Sequence, residues 1–177
     1  MPSCCDHRRL PAASYFAKNT SASPAFGPAK LAGWREFVNL PELEIGPIPA
    51  KADTGAVSAA LHAENIVIHS VEGARRVRFD AFIDEARHIT RACDLPLHGV
   101  KRVKSSTGTV EDRWVIETEI ELGQTRWRAL VTLTDRNEMG LPMLLGRATL
   151  RGRFVVHPGR SFLLTRSVQR SALRTAS

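Results

Sequence analysis

Arg113-Trp114-Val115-Ile116-Glu117-Thr118-Glu119-Ile120-Glu121-Leu122 decides the fold class. Trp114, Ile116, Thr118, Ile120 and Leu122 alternate with Val115, Glu117, Glu119 and Glu121, which is the period-2 pattern of a half-buried strand. Gly123-Gln124 then leads into a second apolar run over 127–134, and Glu72-Gly73 stands in the same way between two earlier runs. Both read as hairpins, because Gly supplies the turn conformation that twisted strands need.

Working outward, further strands are expected at 34–40, 48–53, 65–70, 76–83 and 89–93, with one short helix at 147–150 just after Gly146. Many short strands with almost no amphipathic helix predict an all-β, closed or nearly closed barrel of one domain. No internal repeat is visible. The first 30 residues are rich in Ser, Ala and Pro (Pro11, Pro24, Pro28) and carry no periodicity. The expected division is therefore a disordered basic leader at 1–32, the barrel domain at 33–165 and a disordered basic tail at 166–177.

A length of 177 residues fits one domain with tails, and 43% hydrophobic residues with 24% charged are globular proportions. Aromatics are only 6%, but recurrent Val, Leu, Ile and Ala exclude disordered, collagen-like and coiled-coil chains. No apolar run reaches the roughly 18 residues of a membrane-spanning helix.

The net charge of +7 points toward nucleic acid until it is divided along the chain. Arg8, Arg9, Lys18 and Lys30 against Asp6 give the first 30 residues +3, and Arg166, Arg170 and Arg174 give the last twelve another +3. The domain between is left near +1, with no electrostatic footprint for DNA or RNA. Three cysteines, two of them adjacent at Cys4 and Cys5, make no disulfide framework and suit a reducing compartment. Leu10-Pro11-Ala12-Ala13-Ser14 is too broken to be a secretory core, so a cytoplasmic location is expected.

Ala52-Asp53-Thr54-Gly55-Ala56 carries the chemistry. It follows the apolar Pro47-Ile48-Pro49-Ala50 and precedes Ser58-Ala59-Ala60-Leu61, so it places a carboxylate in a tight turn at a strand end. Alone, the tripeptide is also what an ordinary Asx-type turn looks like. Met143-Leu144-Leu145-Gly146-Arg147, late in the domain, is the second element. Alone it reads as a core strand ending in a turn.

Together, an early Asp-Thr-Gly-Ala and a late apolar-apolar-Gly-Arg in an all-β chain resemble the retropepsin-like aspartic proteases. The likeness is greater to one bacterial subgroup, the RimK-associated retropepsin-like endopeptidases, also called ATP-dependent zinc proteases. Gly33-Trp34-Arg35-Glu36, Leu40-Pro41-Glu42-Leu43, Lys51 to Ala56 with Ser58, Ala60-Leu61-His62-Ala63, Arg91-Ala92-Cys93, Ser106 with Gly108, Met139-Gly140, Arg151-Gly152-Arg153-Phe154 and Pro158-Gly159-Arg160-Ser161 carry it, over about 33–164. His157 and Phe162 depart from it, standing where an Asp and a Tyr are expected.

The resemblance implies a retropepsin-like barrel in which Asp53 is catalytic, Thr54 and Gly55 hold its loop, and the late Gly packs beneath that loop. An aspartic mechanism needs two carboxylates sharing one proton. Asp112 and Asp135 lack the Thr-Gly context, so the second carboxylate is expected from Asp53 of an identical chain in a homodimer.

Residues 101–110 look like a hairpin flap over the site, with Lys101, Arg102 and Lys104 in a basic stem. Ala56, Lys101, Arg102, Ser106 and Gly108 are the expected substrate-binding set, and the basic stem suits acidic peptides. A solvated edge hairpin fits the same residues. The family's association with ATP-grasp ligases that add glutamates to protein tails makes such a ligase an expected partner, and a non-cleaving binding module the alternative function.

The zinc and ATP of the family's second name find no motif. His62, His69, His88, His98, His157 and Cys93 are scattered without ligand spacing, and a metal on His62 and Cys93 would need the fold to unite them. No phosphate-binding glycine loop is present. No cofactor and no metal are expected, and a zinc peptidase is the remaining alternative. Ser105 and Ser106 lack a nucleophile elbow, and Cys93 would need a neighbouring His.

Overall fold

The computed structural model describes residues 28–84, 88–104, 108, 110–135 and 140–166. Its elements are β1 (Lys30–Gly33), β2 (Arg35–Leu40), a 3-10 turn (Pro41–Leu43), β3 (Ile45–Asp53), β4 (Ala59–Val71), β5 (Ala74–Asp84), β6 (Ile89–Pro96), β7 (Gly99–Lys104), β8 (Val110–Leu122), β9 (Thr125–Thr134), β10 (Met143–Gly146), α1 (Arg147–Leu150) and β11 (Phe154–His157). Among the described residues the chain is mostly β with one short helix element, as the strand pattern and the Gly146 signal predict. No described helix is long and apolar enough to cross a membrane.

Alternation does its expected work in β8 from Ile116 onward, where Ile116, Thr118, Ile120 and Leu122 are buried while Glu117 is exposed. At the start of the run, however, Val115, expected on the outer face, is buried and Trp114 is only half-buried. The hairpin turns fall at Glu72-Gly73, both with positive φ, and at Gly123 (φ 58). β4 begins six residues before the expected start at 65. Ala59, Ala60, Leu61, His62 and Ala63 are all buried, so this part of the strand is covered on both faces and leaves no alternation to read.

β1 is likewise earlier than expected, beginning at Lys30 inside the stretch assigned to the leader. It pairs in parallel with β11, from Lys30 opposite Phe154 to Gly33 opposite His157, a partnership no local pattern reveals. Residues 1–27 of the expected leader, and the expected tail past Arg166, lie outside the described residues.

The remaining strands form one ladder in the order β10-β3-β2-β8-β9-β4-β5-β6, with β7 on β8 and a further β10–β4 pairing. That last pairing returns the ladder on itself, while β5 and β6 extend outward from β4. Phe79, Leu40, Ile48, Leu61, Ile116, Ile120, Leu122, Leu133, Met143 and Leu145 fill the interior.

One topological fact positions the site. β3 and β4 are consecutive in the chain but not paired, because β10 runs between them, parallel to β3 (Leu145 opposite Ala52, Gly146 opposite Asp53) and antiparallel to β4 (Met143 opposite Leu61). The connection at 54–58 must bridge two inter-strand spacings, about 10 Å. It therefore crosses the end of β10 at Gly146.

A second long-range tie closes the C-terminal side. Glu36, 2% exposed, accepts through Oε1 from the backbone N–H of Gly33 (2.7 Å), Leu163 (2.8 Å) and Leu164 (3.1 Å), and through Oε2 from the Thr165 hydroxyl (2.6 Å). Phe162, at the expected Tyr position, stacks on Phe37 with ring centroids 4.9 Å apart. The aromatic packing of the closing segment is thus made by Phe.

Candidate active site

Asp53 is the last residue of β3, and its side chain folds back over the turn that follows. Its Oδ1 accepts from the backbone N–H of Gly55 (2.9 Å) and of Ala56 (3.1 Å), which fixes the carboxylate at the strand end and leaves it half-buried. A Cβ on residue 55 would lie 3.2 Å from that oxygen, so Gly gives the carboxylate its room. Thr54 is exposed beside it.

The floor of the loop is Gly146. A Cβ there would stand 2.3 Å from the Ser58 carbonyl oxygen and 2.8 Å from its nitrogen. The late glycine therefore packs under the Asp53 loop, as the resemblance implies, and the topology explains why no side chain fits. Immediately beyond, α1 holds the loop from its other end. The N–H groups of Arg147 and Ala148 donate to the carbonyls of Ala56 (2.9 Å) and Val57 (3.0 Å), and Arg147 Nη1 donates to the Gly55 carbonyl (2.9 Å). These first N–H groups of a helix have no partner within it, and the loop carbonyls satisfy them. In the sequence Arg147 stands out only as part of the late motif. Its position next to the floor glycine was the available signal.

β7 and the start of β8 form the expected hairpin, with Lys101 opposite Arg113 and Lys104 opposite Val110. Lys101 reaches back across it, its Nζ donating to Ser58 Oγ at 2.6 Å, so the hairpin stem is tied to the loop that carries Asp53. Arg102 behaves differently. It lies opposite Asp112 and pairs with that carboxylate at 3.0 Å and 3.3 Å, its charge balanced within the hairpin. Gly108 is exposed with φ 90, whereas Ser106 lies outside the described residues. Of the expected substrate set, Ala56 and Lys101 gather at the loop.

Asp112 is engaged with Arg102, and Asp135 stands beside His62 at 4.0 Å. Each of the other two carboxylates weighed as a mate for Asp53 thus has a place elsewhere. Burial pushes the Cys93 thiol up to about 11, which keeps it protonated and unsuited to act as a nucleophile at neutral pH. Among the described residues His62 gathers with Glu64 and Asp135, a grouping that sequence spacing does not announce.

An Asp-Thr-Gly turn floored by an apolar-apolar-Gly strand, in a mostly β chain, defines the retropepsin-like class. The chain belongs to the RimB-like family, described as "Retropepsin-like aspartic endopeptidase RimB", whose profile matches residues 31–167. It is 37% identical over 133 residues to a "Probable alpha-L-glutamate ligase" of Shewanella halifaxensis, covering 75% of this chain and 29% of that protein. A protein of the same name from Parasynechococcus marenigrum is 35% identical over 129 residues, 72% of this chain and 28% of the relative. The chain thus spans less than a third of the length of these curated relatives. A crystal structure of a Legionella pneumophila protein of unknown function superposes with a TM-score of 0.63 at 29% identity, covering 76% of this chain and 98% of that one.

Proposed function

We propose that the protein is an aspartic endopeptidase whose active site is completed by a second copy, and that the ring of strands is the closed barrel of the retropepsin-like class. The observation that carries this reading is the Asp53 carboxylate, pinned by Gly55 and Ala56 over Gly146. Two such carboxylates meeting across a two-fold axis share one proton. The ionised one takes a proton from a water that attacks the scissile carbonyl, and the protonated one gives its proton to the carbonyl oxygen. Collapse of the tetrahedral intermediate, with a proton passed to the leaving amine, separates the products. Thr54, exposed at the loop, faces the partner in this arrangement.

Lys101, held at Ser58, puts a cation beside the cleft, and we read the substrate as an acidic or glutamate-tailed peptide. The curated relatives support that direction. This chain matches less than a third of proteins named alpha-L-glutamate ligase, so a domain like this one is joined there to a larger remainder under a glutamate-ligase name. That coupling also supports the second reading, a non-cleaving module that docks a ligase or an acidic tail.

Cleavage of a poly-glutamate-tailed peptide by wild type and by Asp53→Asn, with a chelator control and a sizing column, tests the proposal. Cleavage by a dimeric wild type, lost in Asp53→Asn and indifferent to the chelator, supports the aspartic dimer. Inhibition by the chelator without a fall in melting temperature favours a zinc peptidase, undiminished cleavage by a monomer overturns the shared dyad, and failure to cleave any peptide pool favours the docking module. Lys101→Glu with Arg102→Glu is expected to lower the preference for acidic peptides, and an unchanged preference returns the hairpin to a solvated edge.

A further inference from the structure

We propose that His62, Glu64 and Asp135 form a site for a divalent transition-metal ion, separate from the Asp53 loop. His62 and Glu64 are two residues apart on β4 and so share one of its faces. β9 runs parallel beside β4 with Thr134 opposite His62, so its next residue, Asp135, arrives at the same place. The three donor atoms lie within 4.8 Å of one another.

Two donors about 2.1 Å from one ion stand up to about 4.2 Å apart. His62 Nε2 and Asp135 Oδ1 are separated by 4.0 Å, too far for a direct hydrogen bond and within that span. A side-chain adjustment on the order of an ångström brings the set onto one ion.

The imidazole is a preorganised ligand. It is 2% exposed and stacks on Phe82 at 4.2 Å with an interplanar angle of 15°, while its backbone N–H donates to the Pro142 carbonyl. Asp135 is 66% exposed, which leaves the outer side open to entering metal and coordinating water. One imidazole nitrogen and two carboxylates suit Zn2+ or Mn2+, and the ion's charge offsets that of the two carboxylates. There it joins β4 to the exit of β9, and through His62 to the segment that enters β10. Its role is to brace the strands beneath the Asp53 loop rather than to act on substrate.

The full chain, stripped with a chelator and dialysed, is titrated with Zn2+ and with Mn2+ by calorimetry, alongside Glu64→Gln, Asp135→Asn and Asp53→Asn. One ion per chain at micromolar affinity is expected, weakened about tenfold or more in each of the first two variants and unchanged in Asp53→Asn. A rise of about 5 °C in melting temperature at saturating Zn2+ accompanies it. Co2+, whose visible absorption reports its coordination geometry, is read on the wild type and needs no variant. Absence of binding at millimolar metal, binding undiminished in Glu64→Gln and Asp135→Asn, or binding lost in Asp53→Asn overturns the site. None of these outcomes bears on peptide cleavage, so the two proposals fail separately.

Discussion

Replacing Gly146 by Ala adds one methyl group where the structure has no room for it. Its carbon would stand 2.3 Å, 2.5 Å and 2.8 Å from the oxygen, carbon and nitrogen of the Ser58 backbone, against ordinary contacts of about 3.5 Å. These are backbone atoms, so no side chain can swing aside and β10 must part from the 54–58 loop by roughly 1 Å. Such overpacking costs about 1–3 kcal/mol. The same movement stretches the bonds from the Arg147 and Ala148 N–H groups to Ala56 and Val57, each contributing about 1 kcal/mol. The expected loss is about 3–5 kcal/mol, a large part of a domain's whole stability, and a fall in melting temperature of about 10 °C. Urea denaturation followed by tryptophan fluorescence measures it, with Gly99→Ala as control. A Cβ at Gly99 meets nothing within 4 Å, and that variant should stay within about 0.5 kcal/mol of wild type. Equal midpoints for the two variants would refute the argument that β10 floors the loop.

Glu36→Gln exchanges an acceptor for a donor where the backbone N–H groups of Gly33, Leu163 and Leu164 and the Thr165 hydroxyl all donate, and should cost about 2–4 kcal/mol in the same denaturation assay. Cys93, its thiol pushed up to about 11 by burial, should resist iodoacetamide at pH 8 in the folded chain and react once urea unfolds it. Because the folded thiol holds its proton to higher pH than the unfolded one, this contribution to stability is complete below the unfolded value and is lost as pH rises toward 11. The hydrogen bond from Arg102 holds the Asp112 carboxyl below its usual range, so the pair persists at neutral pH and is lost as pH falls. The NMR titration of Asp112 should move back toward ordinary carboxylate values in Arg102→Gln, and an unmoved titration would contradict the pairing.

How much could be read in advance varied with the range of the interaction. The helix at Arg147–Leu150 was legible because a Gly and a short apolar run announce it locally. The hairpins at Glu72-Gly73 and at Gly123 were legible for the same reason, since a turn and its flanking strands are contiguous. β1 was not, because its hydrogen bonds go to β11 more than 120 residues away. The early part of β4 was hidden for another reason: burial on both faces erases the alternation by which a strand is recognised.

The site divides in the same way. Asp53, Thr54, Gly55 and the Gly146-Arg147 pair are legible as residue types, because a carboxylate in a glycine turn and a glycine after an apolar strand are local statements. The sequence by itself also determined a mostly β chain, through the period-2 pattern of β8, and a near-neutral domain between basic ends. Only the tertiary structure decided that β10 enters between β3 and β4 and so places Gly146 under Ser58. It alone decided that Lys101 reaches the loop while Arg102 is balanced by Asp112, and that Glu36 clasps Thr165 across 129 residues. The physical reason is one of distance: turn chemistry and side-chain alternation act between neighbours in the chain, whereas strand order, buried hydrogen bonds and the meeting of His62 with Asp135 exist only once remote strands have paired.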